Sequence, residues 1–179
     1  RNKYNRAMKI SLIHPSRGRA DKGLETRDIW LSMSGYENVN HVISIDFDDP
    51  EFNKYQSLFW GDAPRSSVCM GHNKSVVEAT NNAILSNDDK PRGDILVYLS
   101  DDFKCPDNWG NLILKEFEGV TEPMLLKVDD CLQKFDVPVL TIPIMNRALY
   151  ERLGYFFHPE YKSMFVDEDL YWTAKKLGA

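Results

Sequence analysis

The chain has 179 residues, a formal net charge of −5, 42% hydrophobic residues and 27% charged residues. That balance excludes disordered, collagenous and coiled-coil chains, and the length suits one domain with a sizeable core. The mild acidity argues against a dedicated nucleic-acid binder, which carries a basic face, but leaves room for a local nucleotide site.

Lys9–His14 is a short apolar run ended by Pro15 and reads as a buried strand, followed by the turn Pro15-Ser-Arg-Gly-Arg19. Gly23–Ser34 carries apolar residues at helical spacing, with Gly35 as its stop. Val42–Ile45 reads as a second strand running into the acidic loop Asp46–Pro50. Residues 50–67, with aromatics and Pro64, predict an irregular connection, and Ser67–Met70 a strand. Asn73–Leu85 reads as a helix with Asn73 as N-cap and Val76 and Val77 facing inward. A polar turn over 86–93 precedes Asp94–Leu99, the clearest buried strand, which runs directly into Ser100-Asp-Asp102. Asp107–Phe117 is predicted as a helix capped by Asp107. Met124–Val128 and Val137–Ile142 are strand candidates. Asn146–Leu153 reads as a helix stopped by Gly154, and Asp167–Leu177 as a last helix with Gly178 behind it.

Strands alternating with helices predict an α/β fold with a mostly parallel central sheet flanked by helices. Ligands in such folds gather outside the carboxyl ends of the strands. Three polar clusters stand at predicted strand ends: Pro15–Arg19, Asp46–Asp49 and Ser100–Asp102. Topology predicts that one cleft wall holds all of them. Residues 1–7, ahead of Met8, are expected to be a tail or a leftover segment, and residues 8–179 a single domain.

Adjacent carboxylates at Asp101 and Asp102 repel, and a hard divalent cation such as Mg²⁺ or Mn²⁺ relieves that repulsion while bridging to phosphate oxygens. The same pair also reads as a solvated turn, with Asp102 or Asp107 capping the next helix. Asp46, Asp48 and Asp49 place acceptors where a base N–H or a ribose hydroxyl is read in nucleotide folds, or form an ordinary turn before Pro50. Arg17 and Arg19 suit phosphate or a nucleobase face, or are plain surface arginines. Asp167-Glu168-Asp169 favours a helix N-terminus electrostatically and also offers a general base for an acceptor hydroxyl. The histidines His14, His41, His72 and His158 show no metal spacing; only His14 falls near the predicted cleft, and each reads as structural or superficial. Trp60, Trp109 and Trp172 can stack on sugars or fill core, with core the default for Trp172. There is no GxSxG elbow, GxGxxG fingerprint or P-loop. Cys69, Cys105 and Cys131 form no CxxC pair and fit a reducing compartment, and no run approaches the roughly 18 apolar residues of a membrane span. A cytoplasmic protein without a transmembrane segment is the expectation.

In their order along the chain these segments resemble the family 2 glycosyltransferases of the GT-A fold. KISLIHPSRGR (9–19) is similar to the family's opening strand and its Pro-Thr-Tyr-Asn-Arg loop, with Pro15 and Arg19 matching. VISIDFDD (42–49) resembles the second strand with its acidic end. NKSVVEATNNAI (73–84) matches the helix N-K-G-x-x-x-A-R-N-x-G-I at Asn73, Lys74, Ala79, Asn81 and Ile84. DILVYLSDDFKCPDNW (94–109) resembles the strand and DXD segment, and Arg147–Gly154 with Phe156-Phe157 the acceptor-side segment. VDEDLYWTAKKLG (166–178) resembles the "ED…Ra…G" helix. The departures are Leu99 at the first Asp of the triplet, Thr80 at the helix arginine, and Ser75 and Ala83 at helix glycines. The second strand lacks Asp-Gly-Ser-x-Asp, and the chain stops at Ala179, ahead of the segment from which many members supply a metal-binding histidine.

The resemblance implies metal-assisted transfer, with inversion, of a sugar from a nucleotide-diphosphate sugar to a glycan or other hydroxyl acceptor, with no nucleic-acid partner. UDP is the expected carrier on family frequency. By the match, Asp169 is the catalytic base and Glu168 its partner. Asp101 and Asp102 hold Mn²⁺ or Mg²⁺. Pro15, Ser16, Arg17, Arg19, Asp46, Asp48, Asn73, Lys74 and Ser100 bind the nucleotide. The competing expectations are an inactive nucleotide- or glycan-binding relative and a nucleotidyltransferase of similar fold. The latter is disfavoured because Pro-Ser-Arg-Gly-Arg is poor in glycine.

Overall fold

The structure is a computed structural model that describes residues 7–59, 65–85, 93–131, 134 and 136–179. Residues 1–6, Trp60, Pro64 and the 86–92 part of the polar turn lie outside the described residues.

The element order is β1 (Ile10–Pro15), α1 (Ala20–Ser32), β2 (Val39–Asp46), α2 (Phe52–Phe59), β3 (Ser66–Gly71), α3 (Val76–Ile84) and β4 (Ile95–Tyr98). It continues with α4 (Trp109–Phe117), β5 (Leu125–Leu126), β6 (Ile144–Asn146), α5 (Arg147–Leu153) and α6 (Val166–Leu177). The sheet order is β3-β2-β1-β4-β6-β5. β3, β2, β1 and β4 pair in parallel, while β6 runs antiparallel to β4 and to β5. The fold is therefore an α/β mixed sheet flanked by helices, with parallel strands carrying the half that bears the polar clusters.

Strand alternation sorts the core into two layers. Ile10 and Leu12 of β1, with Ile95 and Val97 of β4, pack beneath Trp30, Trp109, Ile113 and Phe117 of α1 and α4. On the opposite face Ile13, Val42 and Leu96 pack against Val77, Ala83 and Ile84 of α3, Leu149 of α5, and Leu170 and Ala174 of α6. Ile43 and Ile45 of β2 pack with Ala20, Tyr55 and Phe59. Trp109 is thus core, its Nε1 donating to the Trp30 carbonyl, and not a sugar platform. Trp172 departs from its expected place in the core: it is exposed, with the Lys175 ammonium 5.1 Å from its ring.

Other expectations are corrected too. The stretch after Pro50 holds a helix, α2, since Asp49 accepts from Glu51 N and the burial of Tyr55 and Phe59 anchors one side. α1 starts at Ala20, because Glu51 Oε2 and the Tyr55 hydroxyl accept the N–H groups of Ala20 and Arg19. The cap of α3 is Ser75, whose Oγ accepts from Glu78 N; Asn73 is occupied elsewhere. α4 begins after Asn108 in a left-handed conformation, and Asp107 does not cap it. Val137–Ile142 forms no strand; the ladder partner of β4 is Ile144–Asn146, just beyond Pro143. Among the described residues no helix is long and apolar enough to cross a membrane, and none of the three cysteines is in a disulfide.

Candidate functional site

The carboxyl ends of β1, β2 and β4 and the turn into α3 bring the three polar clusters together. Ser16 N donates to Ser44 O and Leu99 N to Ile13 O, so the exits of these strands stay in register. Arg17 Nη1 then bridges Asp46 Oδ2 at 3.1 Å and Asp48 Oδ1 at 2.8 Å. Asp49 Oδ2 accepts from Gly18 N. Asp46 is buried, and its other oxygen accepts from both the backbone and the side-chain amide of Asn73. A single carboxylate therefore ties the β1 loop, the end of β2 and the approach to α3. The Arg17 guanidinium holds the Asp48 carboxyl below its usual range, and Asp48 in turn raises Arg17.

These residues wall an open cavity of about 430 Å³ lined by Pro15, Ser16, Arg17, Asp46, Asp48 and Asn73, with Ser44 and residues 74–76 and 79 completing it. Of the predicted nucleotide-binding set, Pro15, Ser16, Arg17, Asp46, Asp48, Asn73 and Lys74 meet there. Arg19 and Ser100 lie outside the lining, as do Asp101, Asp102, Glu168 and Asp169.

Asp101 and Asp102 face opposite ways. Asp101 is buried: its Oδ1 lies 2.9 Å from His14 Nε2, and both its oxygens lie within 3.1 Å of Ser16 Oγ. Asp102 is exposed, with Oδ2 2.9 Å from Arg19 Nη1. Asp102 raises the Arg19 guanidinium above its ordinary value. Ser100 contributes its carbonyl, which accepts from Phe103 N and closes the turn. Among the described residues no group of three or more His, Cys, Asp or Glu side chains gathers to hold a metal ion. Mg²⁺ and Mn²⁺ are held, however, by one or two carboxylates together with substrate phosphates, and an outward carboxylate beside a guanidinium fits that mode. Asp102 offers this donor at the surface, whereas Asp101 is buried with its oxygens bonded to His14 and Ser16.

Asp167, Glu168 and Asp169 occupy the first turn of α6. The Tyr161 hydroxyl is 3.5 Å from Asp169 Oδ1. Tyr155, His158 and Tyr161 form an aromatic group before this helix, and burial with the Asp169 charge pushes the Tyr155 phenol up. Arg147 of the acceptor-side resemblance is elsewhere: it donates to Gly93 O and pairs with Asp94, at the amino end of β4. Phe156 and Phe157 are core.

Sequence reasoning missed the groups behind the site. Tyr55 links Ser16 and Arg19, and His41 backs His14. Neither carries a local motif; the signal was a polar residue at an inward position of an otherwise apolar strand or helix face.

No protein-family model and no curated protein sequence matches the chain. Solved structures do. The mannosyltransferase PcManGT from Pyrobaculum calidifontis, in complex with GDP-Man and Mn²⁺, superimposes with a TM-score of 0.67 at 14% identity, over 92% of this chain and 50% of that one. S. aureus TarS 1–349 in complex with UDP gives 0.66 at 15% identity, over 93% of this chain and 55% of that one. A further structure of S. aureus TarS 1–349 gives 0.58 at 16% identity, over 93% of this chain and 55% of that one. The likeness establishes the fold: this is an α/β domain of the GT-A type, similar to glycosyltransferases of known structure. The chain spans about half the length of these structures.

Proposed function

We propose that the chain is a family 2-type glycosyltransferase that moves a sugar from a nucleoside-diphosphate sugar to an acceptor hydroxyl. The observation that carries the reading is the cavity at the carboxyl edge of the parallel strands, with Asp102 and Arg19 presented outward from adjoining strand ends. Support comes also from the solved structures of similar fold, one in complex with GDP-Man and Mn²⁺ and one with UDP.

In this reading the base and ribose occupy the cavity lined by Pro15, Ser16, Arg17, Asp46, Asn73 and Lys74. Asp46 and Asp48 supply acceptors, and the Asp46–Asn73 pairing keeps the polar wall fixed before ligand arrives. Arg19 faces the diphosphate. A bound Mn²⁺ or Mg²⁺ supplies charge neutralisation for the leaving diphosphate, and Asp102 is the residue that would hold it. Asp101 anchors the turn from behind. Asp169 accepts the proton of the acceptor hydroxyl, and Glu168 beside it keeps the helix start acidic. Attack of the deprotonated oxygen as the diphosphate leaves gives inversion. UDP is the proposed carrier and GDP its competitor.

Titration calorimetry with UDP and GDP, each with and without Mn²⁺, tests the reading. Expected is Mn²⁺-dependent binding that Asp102→Ala removes. Absence of binding by either nucleotide under both conditions overturns it. A second reading, nucleotide binding without turnover, draws on the single outward carboxylate at the turn; it predicts the same titration and no transfer or hydrolysis of the sugar.

A further inference from the structure

We propose that His14 is the positioning residue of the 100–102 turn: seated between His41 and Asp101, its imidazole holds Asp101 inward so that Asp102 faces out beside Arg19. The proposal rests on the reading of Asp102 as the metal-holding carboxylate.

His14 and His41 are fully buried and lie on the same face of the sheet, on neighbouring strands. His14 Nδ1 is 2.9 Å from His41 Nε2, and His41 Nδ1 is 3.1 Å from Ser66 Oγ. With the 2.9 Å contact from His14 Nε2 to Asp101, one chain of hydrogen bonds crosses β3, β2 and β1 and ends on Asp101 in the turn after β4.

A carboxylate only accepts, so His14 Nε2 carries hydrogen. The His14 Nδ1–His41 Nε2 and His41 Nδ1–Ser66 Oγ contacts each carry one hydrogen between their two atoms. Burial, with His14 and Arg27 nearby, keeps His41 neutral. A second chain arrives from the other side: Arg19 N–H donates to the Tyr55 hydroxyl, which donates to Ser16 Oγ, which donates to Asp101. Thr26 Oγ1 adds a bond to the Asp101 carbonyl. Two donor chains thus converge on one buried carboxylate, and a buried charge stripped of its partners is strongly destabilised. Asp101 is pinned, and Asp102, its immediate neighbour, is directed to solvent by that pin. The helix behind is shaped for it too: a Cβ on Gly23 would stand 3.3 Å from Asp101 Oδ1 and 3.5 Å from Ser16 Oγ. Outer partners that orient a metal-holding group change metal affinity by about 10- to 100-fold when removed.

The test uses His14→Leu, His14→Gln, Asp101→Asn and the His14→Leu/Asp102→Ala pair in the full chain. UDP and GDP are titrated with and without Mn²⁺, and backbone amide signals of residues 100–103 are followed by NMR. Expected for His14→Leu is loss of the Mn²⁺-dependent gain in nucleotide affinity by on the order of tenfold. Metal-free affinity should hold. His14→Gln, which keeps a donor toward Asp101, should restore most of the gain, and the double variant should lose no more than Asp102→Ala alone. The 100–103 amide signals should move in His14→Leu while those of α4 and α6 hold. A folded His14→Leu protein with the wild-type Mn²⁺-dependent gain and unmoved 100–103 signals overturns the proposal. If His14→Leu does not fold, Asp101→Asn carries the same comparison, since it weakens the same contact with the shape kept. Wild-type protein that binds nucleotide equally with and without Mn²⁺ overturns the metal reading instead, and the amide signals then decide the positioning alone.

Discussion

Arg19 Nη1 lies 2.9 Å from Asp102 Oδ2, joining the loop after β1 to the turn after β4. Both side chains are more than half exposed, at 54% and 68%, so the pair adds little to stability. Its interest is that each partner is replaceable. A diphosphate can take the guanidinium while a divalent ion takes the carboxylate. Arg19→Ala should therefore weaken UDP and GDP binding by on the order of tenfold, the worth of a charge-assisted hydrogen bond, and leave the melting temperature near wild type. Calorimetry beside thermal unfolding checks this; a large stability loss with nucleotide affinity intact would reverse the assignment.

Asp169 and Glu168 open α6 with Tyr161 against the former. A general base contributes about 10²- to 10⁴-fold in rate. Asp169→Asn is expected to lower sugar transfer within that range while nucleotide binding is retained, because Asp169 lies off the cavity lining. Glu168→Gln should act more weakly. The measurement is release of nucleotide from a UDP-sugar or GDP-sugar in the presence of acceptor. Full transfer by Asp169→Asn would remove the residue from the mechanism.

Much of the fold was legible because its signals are local. β1 and β4 are apolar runs flanked by polar turns, and α5 and α6 end at Gly154 and Gly178 in left-handed conformations. The meeting of the Pro15, Asp46 and Ser100 clusters followed from parallel topology alone. α2 was missed although Asp49-Pro50 is a readable helix start, since the aromatics and Pro64 outweighed it. The true start of α1 was not readable: Glu51 and Tyr55, which satisfy its first N–H groups, come from α2 and the residue before it. The opposite facing of Asp101 and Asp102 was equally hidden, because His14 and Ser16 decide it from 87 and 85 residues away.

His41 gives a pH dependence with a definite sign. Burial, His14 and Arg27 hold its imidazole well below its ordinary value of about 6.5, with the Phe59 ring and Ser66 completing its surroundings. Above that value His41 is neutral whether folded or unfolded and contributes no pH dependence. Below it the unfolded chain takes up a proton that the native state excludes. Stability then falls, by up to about 1.4 kcal/mol per pH unit for one such group. Thermal unfolding near pH 7.5 and near pH 5.5 should show a smaller drop for His41→Gln than for wild type. Equal drops would mean that His41 does not titrate on unfolding in this range.

Asn81 of α3 holds the segment that leads from α5 to the aromatic group beside Asp169. Its Oδ1 accepts from the backbone N–H of Phe156 at 3.0 Å and of Phe157 at 3.1 Å, and its Nδ2 donates to the Phe157 carbonyl at 2.7 Å. Both phenylalanines are buried, so water cannot readily replace the lost amide. Each unsatisfied buried polar group costs about 1–3 kcal/mol, and partial relaxation of the segment lowers the sum. Asn81→Ala is expected to lose roughly 2–4 kcal/mol in urea unfolding. Since Tyr155 and His158 flank this clamp and Tyr161 lies just beyond it, Asn81→Ala should also slow transfer more than it weakens UDP binding. A stability change within about 0.5 kcal/mol, the range of an ordinary surface substitution, would show that the clamp is dispensable.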